Sequence, residues 1–286
     1  MDRKDIDKIV ILNEELLDPV FGERVLIDMS WSRYNTYLEC NARYGYKYVQ
    51  KEKEPTGAPL ILGKAIHEAM ESVIKYNVTD ETEAIGFYLM AIDKNKSDIP
   101  ITAVEIEEGR DQVVNTLTNI NLVTHGSVSN VKGIETGFKY IIGRGLFLGF
   151  IDLITVGEDE HGSFINVIDF KSNKTKYSVK GSGQMKLYTL IVKSLFPDMR
   201  VKASLYWTRH SKMATYQFSQ EELDKFVQET EDNVIKIIND REFKPNAQMI
   251  KCVYCQFAGK DQCKKGYSNR YIMERSMAKK KAMKKE

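Results

Sequence analysis

Two short apolar stretches, each interrupted by a single acidic residue, constrain the fold of this chain most. Residues 149–154 read GFIDLI and residues 167–172 read VIDFKS, and the polar loop 157–162 between them predicts a hairpin. The acidic residues, Asp152 and Asp169, have apolar neighbours on either side. Burying a carboxylate among apolar side chains is costly unless a cation or a hydrogen-bond network compensates it. The two stretches therefore predict a compensated acidic site within a β-sheet.

A lysine shares a strand with the second of these carboxylates. Lys171 follows Asp169 by two residues, so both side chains lie on one face of the strand, and Asp152 approaches from the paired strand. This arrangement predicts a metal site with an amine beside it. The alternative is a pair of solvated surface charges, because Asp-x-Lys is common on strands and exposed pairs contribute little to stability.

Length and composition exclude several classes of protein. With 286 residues, 42% hydrophobic and 29% charged, the chain suits a globular protein of one large domain or two small ones. The net charge of +2 provides no overall basic field, so nucleic-acid binding would need a local basic patch. The charged first residues are not followed by an apolar run that could serve as a signal peptide. No stretch approaches the roughly 20 apolar residues of a membrane span. We therefore expect a cytoplasmic protein without membrane association.

Four cysteines form the second informative pattern. Cys252 and Cys255 make a Cys-x-x-Cys pair, Cys263 follows closely, and Cys40 lies far upstream. In a cytoplasmic protein of this size the pattern predicts metal binding rather than disulfides, because Cys-x-x-Cys lets two thiolates bind one metal centre. Cys40 would complete a set of four thiolates. The alternative is four unrelated buried thiols.

The N-terminal half is predicted to be mainly helical. A capped helix begins at Ser30 or Ser32 and ends near Cys40, and a stronger helical pattern covers residues 62–74. His67 stands on the otherwise apolar face of that second helix, where it is either a satisfied core residue or a ligand for Mn, Fe or Zn. Two further helical stretches, 81–92 and 101–122, predict a lid or an insertion before the strands.

The C-terminal half combines strands with helices. Stretches 134–142, 146–156 and 164–171 predict an antiparallel meander, in which Glu135 could face the acidic site but is expected to form a structural ion pair. In the helix from residue 183, Gln184 and Tyr188 are one turn apart and share a face beside the strand of Lys171. A strand at 201–208 follows, and this order predicts a parallel crossover and so a mixed sheet. A capping-box-like start at Ser219 predicts a helix to about residue 239.

These motifs, in this order, resemble the RecB-like branch of the PD-(D/E)XK nuclease superfamily. The chain is similar in particular to the iron–sulfur exonucleases associated with CRISPR adaptation and to related recombination nucleases. The resemblance runs from about residue 30 to residue 263. One departure is Asn41, which stands where relatives have a proline after the first cysteine. Five motifs carry the resemblance: the helix with Leu62, Gly63, His67 and Glu71; the strand 149–152 with Asp152; the D-x-K strand 168–171; the QxxxY motif of Gln184 and Tyr188; and the split cysteine set.

The resemblance implies an α/β fold. Its parts would be a restriction-endonuclease-like core with a mixed central β-sheet flanked by helices, a helical insertion, and a cysteine-cluster cap joining the N- and C-terminal segments. The expected organisation is a leader over 1–29, a single nuclease domain over 30–270 and a basic tail over 271–286. Within that domain the helical insertion would cover about 79–125, and the iron–sulfur cap would come from Cys40 and residues 250–265.

The resemblance also implies a role for each motif residue. The metal ligands for Mg or Mn would be His67, Asp152, Asp169 and the carbonyl of Phe170. The catalytic set would be Lys171 with Asp152, Asp169, Gln184 and Tyr188, the last two supporting the lysine and contacting DNA. A 4Fe–4S cluster, or alternatively zinc, would be held by Cys40, Cys252, Cys255 and Cys263. Further DNA contacts would come from Lys174, Lys176, Tyr177 and Arg209.

The implied function is that of a metal-dependent DNA nuclease. The resemblance favours an exonuclease acting on single-stranded DNA or free ends in replication, recombination, repair or CRISPR-type processing in a phage or prokaryote. A helicase or a recombination or replication protein would be a partner. Two alternatives remain: a non-catalytic DNA-binding scaffold with the nuclease fold, and a zinc-stapled protein in which the Asp-x-Lys strand is incidental.

Overall fold

The computed structural model describes residues 26–95, 98–246 and 248–264. The predicted basic tail and residues 1–25 of the predicted leader lie outside the described residues. The described chain divides into two compact units, one of Pro55–Thr230 and one of Ile27–Glu54 with the residues from Glu231 onward. The single nuclease domain over 30–270 stays a prediction. Within the described ranges, none of the helices combines the length and the hydropathy that crossing a bilayer requires.

The helices and strands are numbered here in chain order. The strands are β1 (Ile27–Met29), β2 (Val131–Ile142), β3 (Gly145–Asp159), β4 (Gly162–Lys171), β5 (Arg200–Trp207) and β6 (Lys212–Tyr216). The α-helices are α1 (Trp31–Glu39), α2 (Asn41–Tyr44), α3 (Ala58–Tyr76), α4 (Glu81–Lys94), α5 (Ala103–Thr118), α6 (Ile120–Thr124), α7 (Gly183–Leu195), α8 (Gln220–Asn239) and α9 (Met249–Val253). A π-helical turn, Gly45–Val49, follows α2.

The first unit contains a mixed sheet in the order β2–β3–β4–β5–β6. Strands β2, β3 and β4 form an antiparallel meander, β4 and β5 are parallel, and β5 and β6 are antiparallel. Helix α7 makes the connection between the parallel strands, as such a pair requires. The mixed central sheet flanked by helices that the sequence predicts is confirmed.

The hairpin between β3 and β4 is tighter than the sequence suggests. The predicted loop 157–162 shortens to a turn at 160–161, because Gly157 pairs with Phe164 in the ladder. A Cβ on Gly157 would lie 2.5 Å from the Phe164 ring, so only glycine fits this strand position. The prediction of a long loop is wrong because the glycine and the charged residues after it were interpreted as turn residues.

The predicted helical insertion belongs to the core of the first unit. Side chains of α4, α5 and α6 that are fully buried, among them Tyr88, Val113 and Val123, join one apolar cluster with Ile168 of β4 and Tyr206 of β5. Helix α3 contributes its own buried stripe to the same cluster. These helices therefore support the sheet rather than form a separate lid.

Two helix glycines provide a paired test of this packing. A Cβ on Gly109 would lie 1.9 Å from the Tyr88 hydroxyl, which donates to the Ile106 carbonyl at 3.1 Å, whereas nothing lies within 4 Å of a Cβ on Gly86. We expect Gly109→Ala to lower the free energy of unfolding by about 2–4 kcal/mol through overpacking and a lost hydrogen bond. Gly86→Ala should raise it by up to about 1 kcal/mol. Urea unfolding of both variants checks this, and equal effects would contradict the packing.

The second unit is built on aromatic residues and helix caps. Ser30, rather than Ser32, caps α1, since its Oγ accepts from the Arg33 backbone N–H at 3.1 Å. The early and late segments of this unit meet at Asp240, whose Oδ2 accepts from the Tyr37 hydroxyl at 2.9 Å and from the Asn41 amide at 3.1 Å. Asn41 thus helps to hold the two segments of this unit together.

Candidate active site and cysteine centre

The two carboxylates that the sequence singles out lie side by side in the first unit. The pairing of residue 153 with residue 168 places Asp152 of β3 opposite Asp169 of β4 on one face of the sheet. Asp152 Oδ2 accepts the Phe170 backbone N–H at 2.8 Å, and His67 Nδ1 of α3 lies 3.3 Å from the same oxygen. The predicted ligand His67 therefore lies next to the predicted ligand Asp152. His67 is not a residue of a purely apolar core.

A third carboxylate completes the group. One ligand atom from each of His67, Glu135 and Asp152 lies within 4.8 Å of the other two. The pairing of residue 134 with 153 and of 136 with 151 places Glu135 opposite Asp152. Glu135 has a φ of +45°, a conformation that is costly for a residue with a side chain and that persists only where the surrounding structure enforces it. Of the two placements that the sequence allows for Glu135, the structure has the one at the acidic site and not the expected structural ion pair.

The carboxylates crowd one another. Burial, followed by the charges of Asp152, Glu71 and Asp169, raises the pKa of Glu135 to about 8. Burial and the Asp169 charge likewise raise the pKa of Asp152 to about 6, although His67 opposes the shift. Such a cluster is costly when ionised, and a divalent cation would relieve the repulsion. Two carboxylates with one imidazole suit Mn²⁺ or Mg²⁺, so the residues present fit the metal that the sequence predicts.

Asp169 and Lys171 form a buried ion pair beside this group. Lys171 Nζ lies 2.6 Å from Asp169 Oδ2, and Asp169 is 2% exposed. Burial alone would lower the pKa of Lys171, but the charge and hydrogen bond of Asp169, together with Tyr177 and Asp152, outweigh burial and hold that pKa above its usual value. The ammonium therefore stays charged. The ligand atoms that lie within 4.8 Å of one another belong to His67, Glu135 and Asp152. Asp169 and the Phe170 carbonyl are not in this group and remain predicted metal ligands.

A chain of hydrogen bonds from α7 holds the lysine. Lys171 Nζ donates to Gln184 Oε1 at 3.1 Å, Gln184 Nε2 donates to the Tyr188 hydroxyl at 2.9 Å, and Tyr188 donates to the Phe150 carbonyl at 2.7 Å. Burial raises the pKa of the Tyr188 phenol well above its usual value, so it remains a donor. The two motif residues thus position Lys171. Tyr188 is 5% exposed, which favours support of the lysine over the DNA contact expected of it.

The residues predicted to contact DNA divide into two groups. Lys174 and Lys176 are exposed on the segment after β4, and Tyr177 is 43% exposed with its ring edge against Trp207. Arg209 instead donates to Glu108 Oε2 at 2.8 Å. Its charge is thereby balanced within the protein, so the first group is better placed to meet phosphates.

The four cysteines lie together in the second unit. Cys40, Cys252, Cys255 and Cys263 line one pocket, together with Arg43. A small apolar cluster surrounds them, with the Tyr46 and Phe257 rings stacked at 5.1 Å. Burial and the neighbouring thiols raise the pKa of Cys263 to about 11, and burial raises that of Cys255. A cation would relieve the cost of ionising four neighbouring thiols. The four cysteines therefore fit a metal centre better than four unrelated thiols.

The crowding of carboxylates in the acidic group predicts a change in stability that can be measured without any assay of activity. In EDTA we expect Glu135→Gln to raise the free energy of unfolding at pH 8 by about 1–3 kcal/mol, a range discounted for partial exposure. Since the pKa of Glu135 is raised from 4.5 to about 8, the stability that its protonated form contributes is lost as pH rises through that range. The advantage of glutamine should therefore be small at pH 4.5 and grow toward pH 8 in urea unfolding.

The control is Glu158→Gln, at an exposed position of β3. It should change stability equally at both pH values. Adding Mn²⁺ should raise the melting temperature of the wild type more than that of Glu135→Gln, because a ligand that binds only the folded state stabilises it. An equal Mn²⁺ response in the two proteins would remove Glu135 from the metal site.

Comparison with solved structures finds weakly similar chains. The chain is similar to a protein from Eubacterium rectale, provisionally named an exonuclease, with 10% identity and a TM-score of 0.45 over 79% of this chain and 85% of that one. It is also similar to SSO0001, with 14% identity and a TM-score of 0.36 over 87% of this chain and 92% of that one. No curated protein matches the sequence.

A family comparison covers most of the chain. The model of the PD-(D/E)XK nuclease superfamily matches residues 28–263, a range that includes both strands of the acidic site, the histidine helix and all four cysteines. The chain therefore belongs to the PD-(D/E)XK nuclease superfamily.

Proposed function

We propose that this protein is a divalent-metal-dependent deoxyribonuclease that hydrolyses DNA from free ends. The observation that carries the proposal is the convergence of His67, Glu135 and Asp152 within 4.8 Å, beside the buried pair of Asp169 and Lys171. Metal-ligand atoms beside a charged amine are the groups that phosphodiester hydrolysis needs. Membership of a nuclease superfamily supports the same reaction.

The acidic group would hold Mg²⁺ or Mn²⁺ through His67, Asp152 and Glu135, with Asp169 and the Phe170 carbonyl as the further ligands predicted by resemblance. When bound, the cation would lower the pKa of a coordinated water and offset the negative charge on the scissile phosphate. The Phe170 N–H holds the Asp152 carboxylate in place at 2.8 Å, so that ligand is oriented before any metal binds.

Lys171 supplies a fixed positive charge. Asp169 and Gln184 hold its ammonium at 2.6 Å and 3.1 Å, so it can orient the attacking water and donate to a phosphate oxygen as charge develops there. Tyr188 fixes the Gln184 amide, which must present its oxygen to the lysine because its nitrogen donates to the phenol. The catalytic lysine is thus positioned by residues that need not touch the DNA.

The cysteine centre is proposed to be a 4Fe–4S cluster. A single tetrahedral zinc, with Zn–S bonds of about 2.3 Å, would require Sγ atoms about 3.8 Å apart. Among the described residues, the group whose ligand atoms lie within 4.8 Å of one another is the acidic one, and the cysteines are not in it. Four thiols set wider around a shared pocket favour a larger cluster. Its role would be to tie residues 27–54 to the C-terminal segment.

The resemblance to RecB-like iron–sulfur nucleases supports the finer part of the proposal. It favours an exonuclease that acts on single-stranded DNA or on frayed ends, in recombination, repair, replication or CRISPR-type processing, with a helicase or a recombination protein providing such ends. Exposed lysines 174 and 176 beside Tyr177 provide a local surface for the DNA backbone and bases.

The test is cleavage of DNA labelled at one end, single-stranded, double-stranded or circular, with Mn²⁺, Mg²⁺ or EDTA. We expect progressive shortening of linear DNA with metal, none in EDTA and none on circles. Asp152→Asn should abolish cleavage, whereas Glu68→Gln should preserve it, since Glu68 lines the same cleft but pairs with Lys94. Cleaved circles would indicate an endonuclease. Tight DNA binding without cleavage under any metal would indicate a scaffold.

A further inference from the structure

A second cavity adjoins the metal cleft. It has a volume of about 450 Å³ and lies among α3, α5 and the segment after β4. Pro59, Gly63 and Ser172 line both this cavity and the cleft that contains His67 and Asp152. The two spaces are therefore neighbouring compartments of one groove. None of the residues with predicted metal or catalytic roles lines the second compartment.

Helix α3 separates the two compartments with two of its faces. Gly63 and His67, one turn apart, line the metal cleft, whereas Leu62 and Ile66, also one turn apart, line the cavity. A Cβ on Gly63 would lie 3.2 Å from Ser172 Oγ. The helix and the segment after β4 thus approach closely at Gly63, and the lack of a side chain there leaves space between the compartments.

The charges around the cavity balance. Glu105, Glu108, Lys174 and Arg209 all line it, and Arg209 donates to Glu108 at 2.8 Å. Bonds from Thr102 lower the pKa of Glu105, and the bond from Arg209 lowers that of Glu108, so both carboxylates are ionised at neutral pH. The lining as a whole therefore carries no net positive charge with which to hold a phosphate. A neutral group that both donates and accepts hydrogen bonds fits this lining.

A nucleobase has that chemistry. Carboxylates accept from its exocyclic amino groups, and lysine, arginine or asparagine donate to its carbonyl and ring-nitrogen atoms. The apolar side chains of Leu62 and Ile66 provide a surface for the ring, and the volume lies in the range of sites for small molecules. The cavity therefore matches a single base better than the sugar–phosphate backbone.

The cavity is tied to the main chain of the catalytic lysine. Ser172, Asn173 and Lys174 follow Lys171 directly and line the cavity. Thr208 Oγ1 lies 2.8 Å from Oε1 of Gln112, a lining residue that is 3% exposed, and 3.2 Å from the Lys171 carbonyl oxygen. A group seated here would be held at a fixed distance from Lys171.

We propose that the cavity receives the unpaired base of the nucleotide next to the scissile phosphate. This inference rests on the proposed nuclease function and adds a substrate class to it, a strand end whose base has left the stack. A base in a duplex would first have to unpair, at an energetic cost. The site therefore prefers single-stranded or frayed ends to blunt duplex ends, and the seated base sets the register of the phosphate.

The first test removes one base from the substrate. End-labelled single strands carry a tetrahydrofuran abasic residue at successive positions from the end, and wild-type kcat/KM is measured with Mn²⁺. We expect a fall of about 10-fold at the one position that fills the cavity, the scale of a lost base contact, and no effect elsewhere. Equal cleavage of all these strands would overturn the inference while leaving the nuclease function intact.

The second test narrows the cavity. Asn173→Trp places a large ring at its exposed edge, and Thr175→Trp, on the same segment but not in the lining, is the control. Asn173→Trp should lower kcat/KM about 10-fold on intact DNA yet leave the abasic substrate unaffected, whereas Thr175→Trp should match the wild type. A loss shared equally by both substrates would contradict base binding.

A binding measurement separates this inference from the nuclease proposal. In EDTA, 2-aminopurine at the sensitive position, or at each of the last few positions of the strand, should change its emission on binding the wild type and the Thr175→Trp variant, but not Asn173→Trp. This response without cleavage in any metal would refute the nuclease proposal and keep the base site. No response in the wild type would refute the base site.

Discussion

Replacing Lys171 with methionine is expected to lower the rate of DNA cleavage by at least about 10³-fold. The substitution keeps the unbranched stem and removes the ammonium, which Asp169 and Gln184 hold beside the metal ligands. The positive charge of Lys171 would stabilise the negative charge that develops on the phosphate. Single-turnover cleavage with excess enzyme measures the loss. Mn²⁺-induced stabilisation should persist, because His67, Glu135 and Asp152 are unchanged.

The same substitution should also reveal the electrostatic coupling of the pair. Asp169 is 2% exposed, so losing its partner leaves a buried charge uncompensated and should lower the free energy of unfolding by about 2–4 kcal/mol. Adding Asp169→Asn removes that charge. The double variant should recover most of the stability and none of the activity, and urea unfolding over the complete cycle measures the interaction.

Lys64→Met is the matched control, because Lys64 lines the same cleft on the exposed side of α3. It should keep the cleavage rate within about 10-fold of the wild type. Any change should appear in KM and not in kcat, as expected of a general phosphate contact. Lys171 would not be the catalytic lysine if Lys171→Met retained more than a tenth of wild-type activity. The same would follow if Lys64→Met lost as much activity as Lys171→Met.

Replacing Cys255 with serine is expected to remove the bound cluster and to unfold the second unit. Cys255 lines the cysteine pocket with the other three thiols and packs against the apolar cluster of Ala42, Tyr46 and Phe257. Binding of a structural metal is part of the folding free energy of the segments it joins, so its loss should cost more than about 4 kcal/mol. Iron and sulfide content and visible absorbance measure the cluster, and limited proteolysis reports unfolding.

Tyr254→Ser provides the control next to it in the chain. Tyr254 is 75% exposed, between two of the cysteines, so its loss should change neither iron content nor proteolysis. Stoichiometric zinc without iron in anaerobically purified wild type would replace the iron–sulfur proposal with a zinc centre. Unchanged metal content in Cys255→Ser would show that the thiols do not act together.

Local periodicity was sufficient to predict which residues of much of the active site lie on one face. Because alternate strand residues share a face, Asp169 and Lys171 had to lie together, and the observed 2.6 Å pair agrees. Because residues four apart share a helix face, Gln184 and Tyr188 had to act from one side of α7, as they do. The order of strands and helices likewise predicted the mixed sheet.

Strand register and the packing of distant segments could not be predicted in this way. The sequence left Glu135 with two placements, at the acidic site or in a structural ion pair, and only the pairing of β2 with β3, which sets it opposite Asp152, decided between them. The helical stretches 81–92 and 101–122 were expected to form a lid or an insertion, yet their buried side chains join the core of the first unit. Amphipathic periodicity indicates that a helix face is buried but not what covers it.

The sequence by itself determined the elements, the mixed sheet and the grouping of acidic, basic and thiol residues, because each depends on spacing within a helix or strand or on residue chemistry. Tertiary structure alone decided the three-residue metal group, the hydrogen-bond chain behind Lys171 and the base-sized cavity beside Gly63. Those features join residues from separate strands and helices, and the distances between such residues are set by packing across the core.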